Sequence, residues 1–595
     1  MKHNYFLTLF ALLSIRAFSQ IQPSAIDYLD TNNVRTALLC NADFGWDMAN
    51  SQYEVPKGSG KHPLHNGSLW IGGYNNGVLH MAANTYRQNG LDFWPGPLDT
   101  GTASITVGTS NQWNKLWKIT SEEVDMFRLQ WALGNVQNGS YVPTANMLNW
   151  PANGGPGQSP YLAWYHDTDG DGYYNPLNGD YPIIKGDKMF FWIINDALAP
   201  HGETGKPAMG LEIHCYAYAY NRPCISNYRE LLDNTIFFDY KIYNRTNNIY
   251  DSTIVGFFLD PDLGSPNDDY VGCDVQEKMA FAYNANVVDG VYGAKPPAFS
   301  LVTLKGPLAN PGDAMDNDLD SCTDCQWPIG SNCDACYTCA PLPDNLLPES
   351  IAMSGFNYLD NTVPGINGNY YGLINGKLGN GAFTTYGGNA TNSALPPCKF
   401  VFPGSSDPNG YGLGYQPGLT PISNPGPVWT EYTLSRPPGD RKMIVSMGKF
   451  TFKPKTMQEV EMALVFSRDT VNCTDNLCAI NKAHNDADSL QDLYRCFLSS
   501  LPACPVINGI TEFQKSDWFL APNPASDQLT ITGAASPGVL QYYITDLTGR
   551  IVQGGKPSVV SSGKYIITID KLPAAMYLLS ITTRSGSSVK KFIKQ

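Results

Sequence analysis

The chain has 595 residues, 43% hydrophobic and 15% charged, with 53 acidic against 39 basic side chains and a net charge of −14. That apolar fraction supports a packed core and excludes wholesale disorder. The acidic balance, with no Lys/Arg-rich block, excludes a non-specific nucleic-acid binder, which needs a basic face.

The acid is mostly aspartate, 41 Asp against 12 Glu, beside 56 Gly, 43 Pro and 34 Tyr. Such a composition favours strands, turns and cation-binding loops over helices. Residues 1–19 read as a signal peptide. Lys2 and His3 precede an apolar run from Phe6 to Ile15, too short to span a bilayer and suited to a signal h-region. Ala17 and Ser19 place small residues at −3 and −1, so cleavage is expected before Gln20. No later stretch is long and apolar enough for a membrane span.

Residues 20–505 form the expected body, a mainly β, antiparallel sandwich with long loops and a few short helices. Aromatics are dense early: Trp70, Tyr74, Tyr86, Phe93, Trp94, Trp113 and Trp117, then Trp150, Trp164, Tyr165, Tyr173 and Tyr174. Buried, they fill a core; exposed, they would offer stacking platforms for sugar rings. Thr120-x-x-Glu123 is a capping box followed by Val124, Phe127 and Trp131 on one helical face. Runs with period two follow at 211–217, 235–243, 253–259 and 278–283, each expected to bury one face and wet the other. Lys442–Phe452 and Glu459–Ser467 flank Lys453-Pro454-Lys455-Thr456 and predict a hairpin. A helix is expected over 480–499, with Ala483, Ala487, Leu490, Tyr494 and Phe497 inward and Asp486 and Asp488 outward.

The strongest chemical signal is His166-Asp167-Thr168-Asp169-Gly170-Asp171-Gly172-Tyr173. Asp at positions 1, 3 and 5 with Gly at 6 matches the first half of a calcium loop. Alternate residues on a tight loop point inward, so Asp167, Asp169 and Asp171 would converge on one hard cation, with the Tyr173 carbonyl beside them. Asn178 stands where an EF-hand carries its bidentate Glu, and Asp180 is the expected substitute. Asp316, Asp318 and Asp320 repeat the alternation without the glycine and form a second calcium candidate. Asp260, Asp262, Asp268, Asp269 and Asp274 are expected to be a polar loop at a strand end. A structural calcium ion is the one cofactor anticipated, stiffening loops where calcium is millimolar.

Motifs of common enzymes, G-x-S-x-G, H-E-x-x-H, Walker A and G-x-G-x-x-G, do not occur. His62-x-x-His65 reads as a surface loop and His201-Gly202-Glu203 as a solvated open loop. A pair of carboxylates facing a cleft, all that glycoside hydrolysis requires, leaves no mark in a single sequence. Fourteen cysteines suit an oxidising compartment. Five of them, Cys322, Cys325, Cys333, Cys336 and Cys339, are expected to staple a loop, with Cys273 and Cys398 as candidate partners for the odd one. Cys473/Cys478 and Cys496/Cys504 read as two local bridges.

After a linker at 506–517, residues 518–595 change texture. Six short alternating segments predict a small Ig-like β-sandwich. Its landmarks are Pro522-Asn523-Pro524-Ala525-Ser526, Asp546-Leu547-Thr548-Gly549-Arg550, Leu572-Pro573-Ala574-Ala575-Met576-Tyr577-Leu578 and Lys590-Lys591-Phe592-Ile593-Lys594. In order and spacing these resemble the type A C-terminal sorting domain of the Bacteroidetes type IX secretion system. Where that family usually carries Gly, this chain has Ala575, which accepts a strand but not a positive-φ turn. The resemblance implies outer-membrane export by the type IX machinery, then removal of the tail by a sortase-like peptidase. Linkage of the body to surface lipopolysaccharide, or its release, follows. The body strings SLWIGGYNNGVLHMAANTYRQNGLDFWPGPLD, DTDGDGYYNPLNGDYPIIKGD, DPDLGSPNDDYVGCD and YGAKPPA resemble uncharacterised Bacteroidetes surface proteins with the same tail, and imply no activity. The expected function is an exported, non-catalytic, calcium-stabilised surface or secreted protein, with adhesion to glycans among its expected roles. The alternative is a secreted polysaccharide-acting enzyme or carbohydrate-binding protein.

Overall fold

The computed structural model describes residues 23–86, 90–221, 228–310, 315–319, 349–365, 367–416, 419–424, 426, 428–496, 519–532, 541–545, 551–561, 564–583 and 586–595. The signal segment, the five-cysteine cluster, Asp320, Phe497, Cys504 and Asp546–Arg550 lie outside them. Contacts divide the chain after Cys504 into two compact units.

Two nine-stranded sheets, each paired antiparallel throughout, build the first unit. One runs through Ile26–Leu29, Arg35–Leu39, Asp43–Phe44, Asn66–Asn75, Tyr250–Asp260, Arg441–Phe452 and Gly355–Asp360, with Tyr53–Glu54 beside the second of these and Val78–Ala82 beside the fourth. The other runs through Asp269–Asp274, Met279–Asn284, Ala298–Lys305, Met457–Ser467, Thr235–Asn244, Leu211–Ala219, Lys188–Asn195 and Trp94–Pro95. Between them lies the main core. Phe44 meets Phe238 with ring centroids 4.8 Å apart, and Tyr240 meets Phe257 at 5.7 Å.

The period-two strands are present, but their outer faces are dry. Along Leu211–Ala219, Ile213, Cys215 and Ala217 enter the core between the sheets, while Tyr216 and Tyr218 join a second cluster outside. That cluster is closed by the helix Cys478–Cys496, whose Ala483, Ala487, Leu490 and Leu493 are buried, and by Val124 and Phe127 of the helix Ser121–Ala132. The first sheet is covered likewise: Trp70, Phe258 and Ile444 pack under Tyr370, Leu373 and Ile374 of the short helix Tyr370–Ile374. The expectation of half-buried strands is therefore corrected. Alternation separates two cores here, because tyrosines on the second face are apolar enough to be covered.

The capping box forms as read. Thr120 Oγ1 accepts the Glu123 N–H at 3.2 Å and Glu123 returns a bond from the Thr120 N–H at 3.0 Å, an arrangement worth about 1 kcal/mol. The hairpin expected around Pro454 does not form. Arg441–Phe452 pairs with Tyr250–Asp260 and Gly355–Asp360, whereas Met457–Ser467 pairs with Thr235–Asn244 and Ala298–Lys305. The chain crosses between sheets at 453–456, since each strand buries both faces and needs two flanking partners.

Asp486, expected on the wet face of its helix, is buried, and Ser467 Oγ and Lys482 Nζ both donate to it at 2.6 Å. Cys473 and Cys478 form the expected local disulfide. Cys40, Cys215, Cys273 and Cys398 are buried free thiols. This corrects the reading of Cys273 and Cys398 as partners for the cysteine cluster. Cys273 faces the core on a paired strand, within 3.4 Å of the Val401 carbonyl, and behaves as a small apolar residue.

The second unit holds two four-stranded antiparallel sheets. Phe519–Ala521, Gln528–Thr532, Lys564–Thr568 and Ser558–Ser561 form one; Ile551–Gly555, Gln541–Thr545, Ala575–Thr583 and Gly586–Lys594 form the other. Leu529, Ile531, Ile544, Leu579 and Phe592 fill the space between. Ala575 opens a strand paired with Lys594, without a positive φ. Three of the sequence landmarks interlock here. Asn523 accepts the Ile593 N–H at 2.9 Å, Ala525 donates to the Ile593 carbonyl at 2.8 Å, and Tyr577 stacks on Phe592 at 5.6 Å while its hydroxyl donates to Pro573 O at 2.9 Å.

Candidate metal centre

The acidic loop spans 167–180. Its ends are held together by a short ladder, His166 opposite Tyr181 and Tyr165 opposite Pro182. Gly170 and Gly172 take positive φ of 76° and 80°, which glycine adopts without the Cβ penalty. Those turns bring one carboxylate oxygen from each of Asp167, Asp169 and Asp180 within 4.8 Å of one another.

Backbone donors hold the carboxylates in place. Asp167 accepts from the N–H groups of Gly170 at 2.7 Å and Gly172 at 2.8 Å, and the Gly172 bond leads in holding its pKa below the usual carboxylate range. Asp180 is fully buried and accepts from Thr168 N at 2.8 Å and Asn175 N at 2.9 Å. Asn178, in the EF-hand glutamate position, donates to Asp169 at 3.0 Å. Asp171 stands outside the trio and takes the Tyr173 N–H at 2.7 Å; the Tyr173 side chain is 72% exposed. Oxygen donors of this kind fit a hard divalent cation such as calcium.

A second trio joins Asp316 and Asp318 to Glu349. Tyr411 donates its hydroxyl to Asp316 at 2.7 Å, and Glu349 accepts the Asn317 N–H at 2.7 Å. Glu349 escaped the sequence reading because it stands 31 residues beyond Asp318, and no local spacing links them.

The third group behaves differently. Asp260 and Asp262 lie together with Asp440, but Lys442 Nζ sits 2.5 Å from Asp260 and also bonds Asp440. Tyr86 donates its hydroxyl to the other Asp260 oxygen. Burial, then the neighbouring Asp260, pushes Asp262 up to about 7. Asp269 and Asp274 go elsewhere: Asp269 accepts from Leu263 N at 3.0 Å, and Asp274 lies 3.4 Å from His484.

His201 and Glu203 overturn the expectation of a solvated loop. Glu203 is fully buried, and Thr85 N and Tyr370 OH donate to it at 2.9 and 2.7 Å. Burial pushes its carboxyl up to about 8. Both ring nitrogens of His201 face carbonyl oxygens, Met81 at 2.7 Å and Asp196 at 2.8 Å. Asp92 binds the turn through Glu203 N, Thr204 N and Thr204 Oγ1. No local spacing signals this network, since its members come from 85, 92, 196–204 and 370. His62 and His65 turn to separate partners, Tyr53 O and Ser51 Oγ.

Of the early aromatics, Trp70, Phe93, Trp94 and Trp150 are buried, while Trp113, Trp117, Trp164, Tyr165 and Tyr174 pack at the margin of the outer core. Among the cavities lined by described residues are two of moderate size. One, of about 230 Å³, lies between Met81, Thr204 and Tyr370 and has no carboxylate in its lining; the other, of about 430 Å³, has Asp316 alone.

Residues 520–595 match the family model of the secretion system C-terminal sorting domain. The tail is thus a type IX sorting domain; it engages the type IX secretion machinery and indicates export to the secreted or outer-surface pool. No helix among the described residues is long and apolar enough to cross a membrane. No characterised protein matches the chain by sequence. Among solved structures, a polysaccharide lyase is similar at 7% identity with a TM-score of 0.16, over 64% of this chain and 34% of that one. The chain spans about a third of that protein's length, and at this similarity neither fold nor activity transfers.

Proposed function

We propose that the body is an exported, non-catalytic surface or secreted protein whose loop 167–180 binds a structural calcium ion. The sorting tail supports the export in this reading. The calcium in it rests on three carboxylates within 4.8 Å at a loop whose glycines and backbone donors fix them there. Without a cation those charges repel one another. Calcium would relieve that repulsion and tie Asp180, next to the closing ladder, to the exposed turn. The trio of Asp316, Asp318 and Glu349 is proposed as a second, similar site. Peptidase removal of the tail, then linkage to lipopolysaccharide or release, completes the proposed route.

Thermal unfolding of the full chain in millimolar calcium and in chelator tests the cation. At a calcium concentration of ten times Kd, stabilisation of about 1.4 kcal/mol is expected. An identical midpoint in both buffers would remove calcium from the account. Deleting residues 518–595 is expected to retain the protein inside the envelope; normal surface display of that truncation would refute the export route.

A further inference from the structure

The 430 Å³ cavity lies over the edge of the first sheet, between the strands Gly355–Asp360 and Arg441–Phe452 and the loops after the helix Tyr370–Ile374. Its volume falls in the range of small-ligand sites, which run from roughly 300 to 1,000 Å³. Lys399 and Lys449 line it, and Lys377 stands beside them, its ammonium 4.7 Å from the ring of Phe383 at the rim.

These lysines are an anomaly in a chain of net charge −14. Lys118, Lys185, Lys188, Lys241, Lys305, Lys442 and Lys482 all pair with carboxylates. Lys377, Lys399 and Lys449 pair with none among the described residues. Their backbones are nonetheless fixed. Lys399 donates its N–H to Gly412 O at 2.9 Å and accepts from Phe356 N at 2.9 Å, and Lys377 O accepts from Asn357 Nδ2 at 2.8 Å. Desolvation, then the neighbouring Lys449, lowers the Lys399 pKa; desolvation, then Lys377, lowers that of Lys449. Lys399 and Lys449 thus line one concave site with exposed side chains and no ion pair to a described carboxylate, and an anion is the group that would pair with them.

The remaining lining is not basic. Asp316, Asn317 and Gln416 belong to it, with Tyr411 donating to Asp316. These groups are polar and bring no further positive charge to the cavity. Phe383, 54% exposed, offers an apolar ring at the rim. We infer that this cavity binds an acidic saccharide, its carboxylate on Lys399 and Lys449 and a ring face against Phe383. This names the ligand class for the body as a surface protein. It rests on that reading only for where the ligand is met, so binding to purified protein and export of the tail-deleted chain fail separately.

Calorimetry on the full chain tests it, with trigalacturonate, maltotriose and inorganic phosphate as probes. Trigalacturonate is expected to bind at least tenfold tighter than maltotriose, and to weaken as salt is raised. K399Q/K449Q is expected to lose that binding at least tenfold with no fall in thermal midpoint, because both side chains are exposed and make no ion pair among the described residues. F383A is expected to weaken trigalacturonate and leave phosphate unaffected. Equal binding of maltotriose, undiminished binding by K399Q/K449Q, or phosphate binding as tightly as trigalacturonate would overturn the assignment.

Discussion

Two acidic corners of the body look alike in sequence and differ in the fold. At 167–180 three aspartates meet at an open turn, and their described partners are N–H groups and one amide. At Asp260 one buried aspartate meets two half-buried ones, and the chain supplies its own cation, Lys442, from the neighbouring strand. Carboxylate density alone therefore predicts no metal. What separates the two is whether the adjacent strand delivers an ammonium.

The sharpest test of that contrast is Lys442→Met, which would leave Asp260, 3% exposed, without its counter-ion. A loss of about 3–5 kcal/mol is expected by chemical denaturation; a loss below about 1 kcal/mol would erase the contrast. Core packing comes next. Leu490→Ala, beneath the outer helix, is expected to cost about 2–5 kcal/mol, measured the same way, since Leu490 is fully buried.

The buried acid Glu203 gives a pH test. Its pKa rises from 4.5 unfolded to about 8 folded. Its contribution is therefore complete below pH 4.5 and lost as pH rises through 8. Stability is expected to decline across that window by up to about 1.4 kcal/mol per pH unit. E203Q should flatten the decline, and an unchanged slope would reject the assignment. At the open corner, D169N is expected to abolish about 1 kcal/mol of calcium-dependent stabilisation while leaving stability in chelator nearly unchanged. Tyr173→Ala, at an exposed side chain outside the carboxylate trio, should change stability by less than about 0.5 kcal/mol.

Much of this was legible locally. The capping box at Thr120, the amphipathic helix beginning near Ile480, the Cys473–Cys478 bridge and most strands follow from spacings of two to five residues. The tail was legible for the same reason, and its landmarks prove to touch: Asn523 and Ala525 clasp Ile593, and Tyr577 stacks on Phe592. The body failed wherever a partner came from far away. Pro454 sits in a turn that looks like a hairpin, yet its flanking strands belong to different sheets. His201 and Glu203 sit on a Gly-flanked loop that looks wet, yet Tyr370 and Asp92 close over it.

Composition and short-range pattern settled the β class, the helix starts, the acidic turn and the export tail, because each depends on neighbours a few bonds apart. Which strand pairs with which, which face stays dry, which aspartates receive a lysine and which lysines are left to crowd a cavity were settled by packing across hundreds of residues. Burial and counter-charge are properties of the assembled sheets, and no window of sequence contains them.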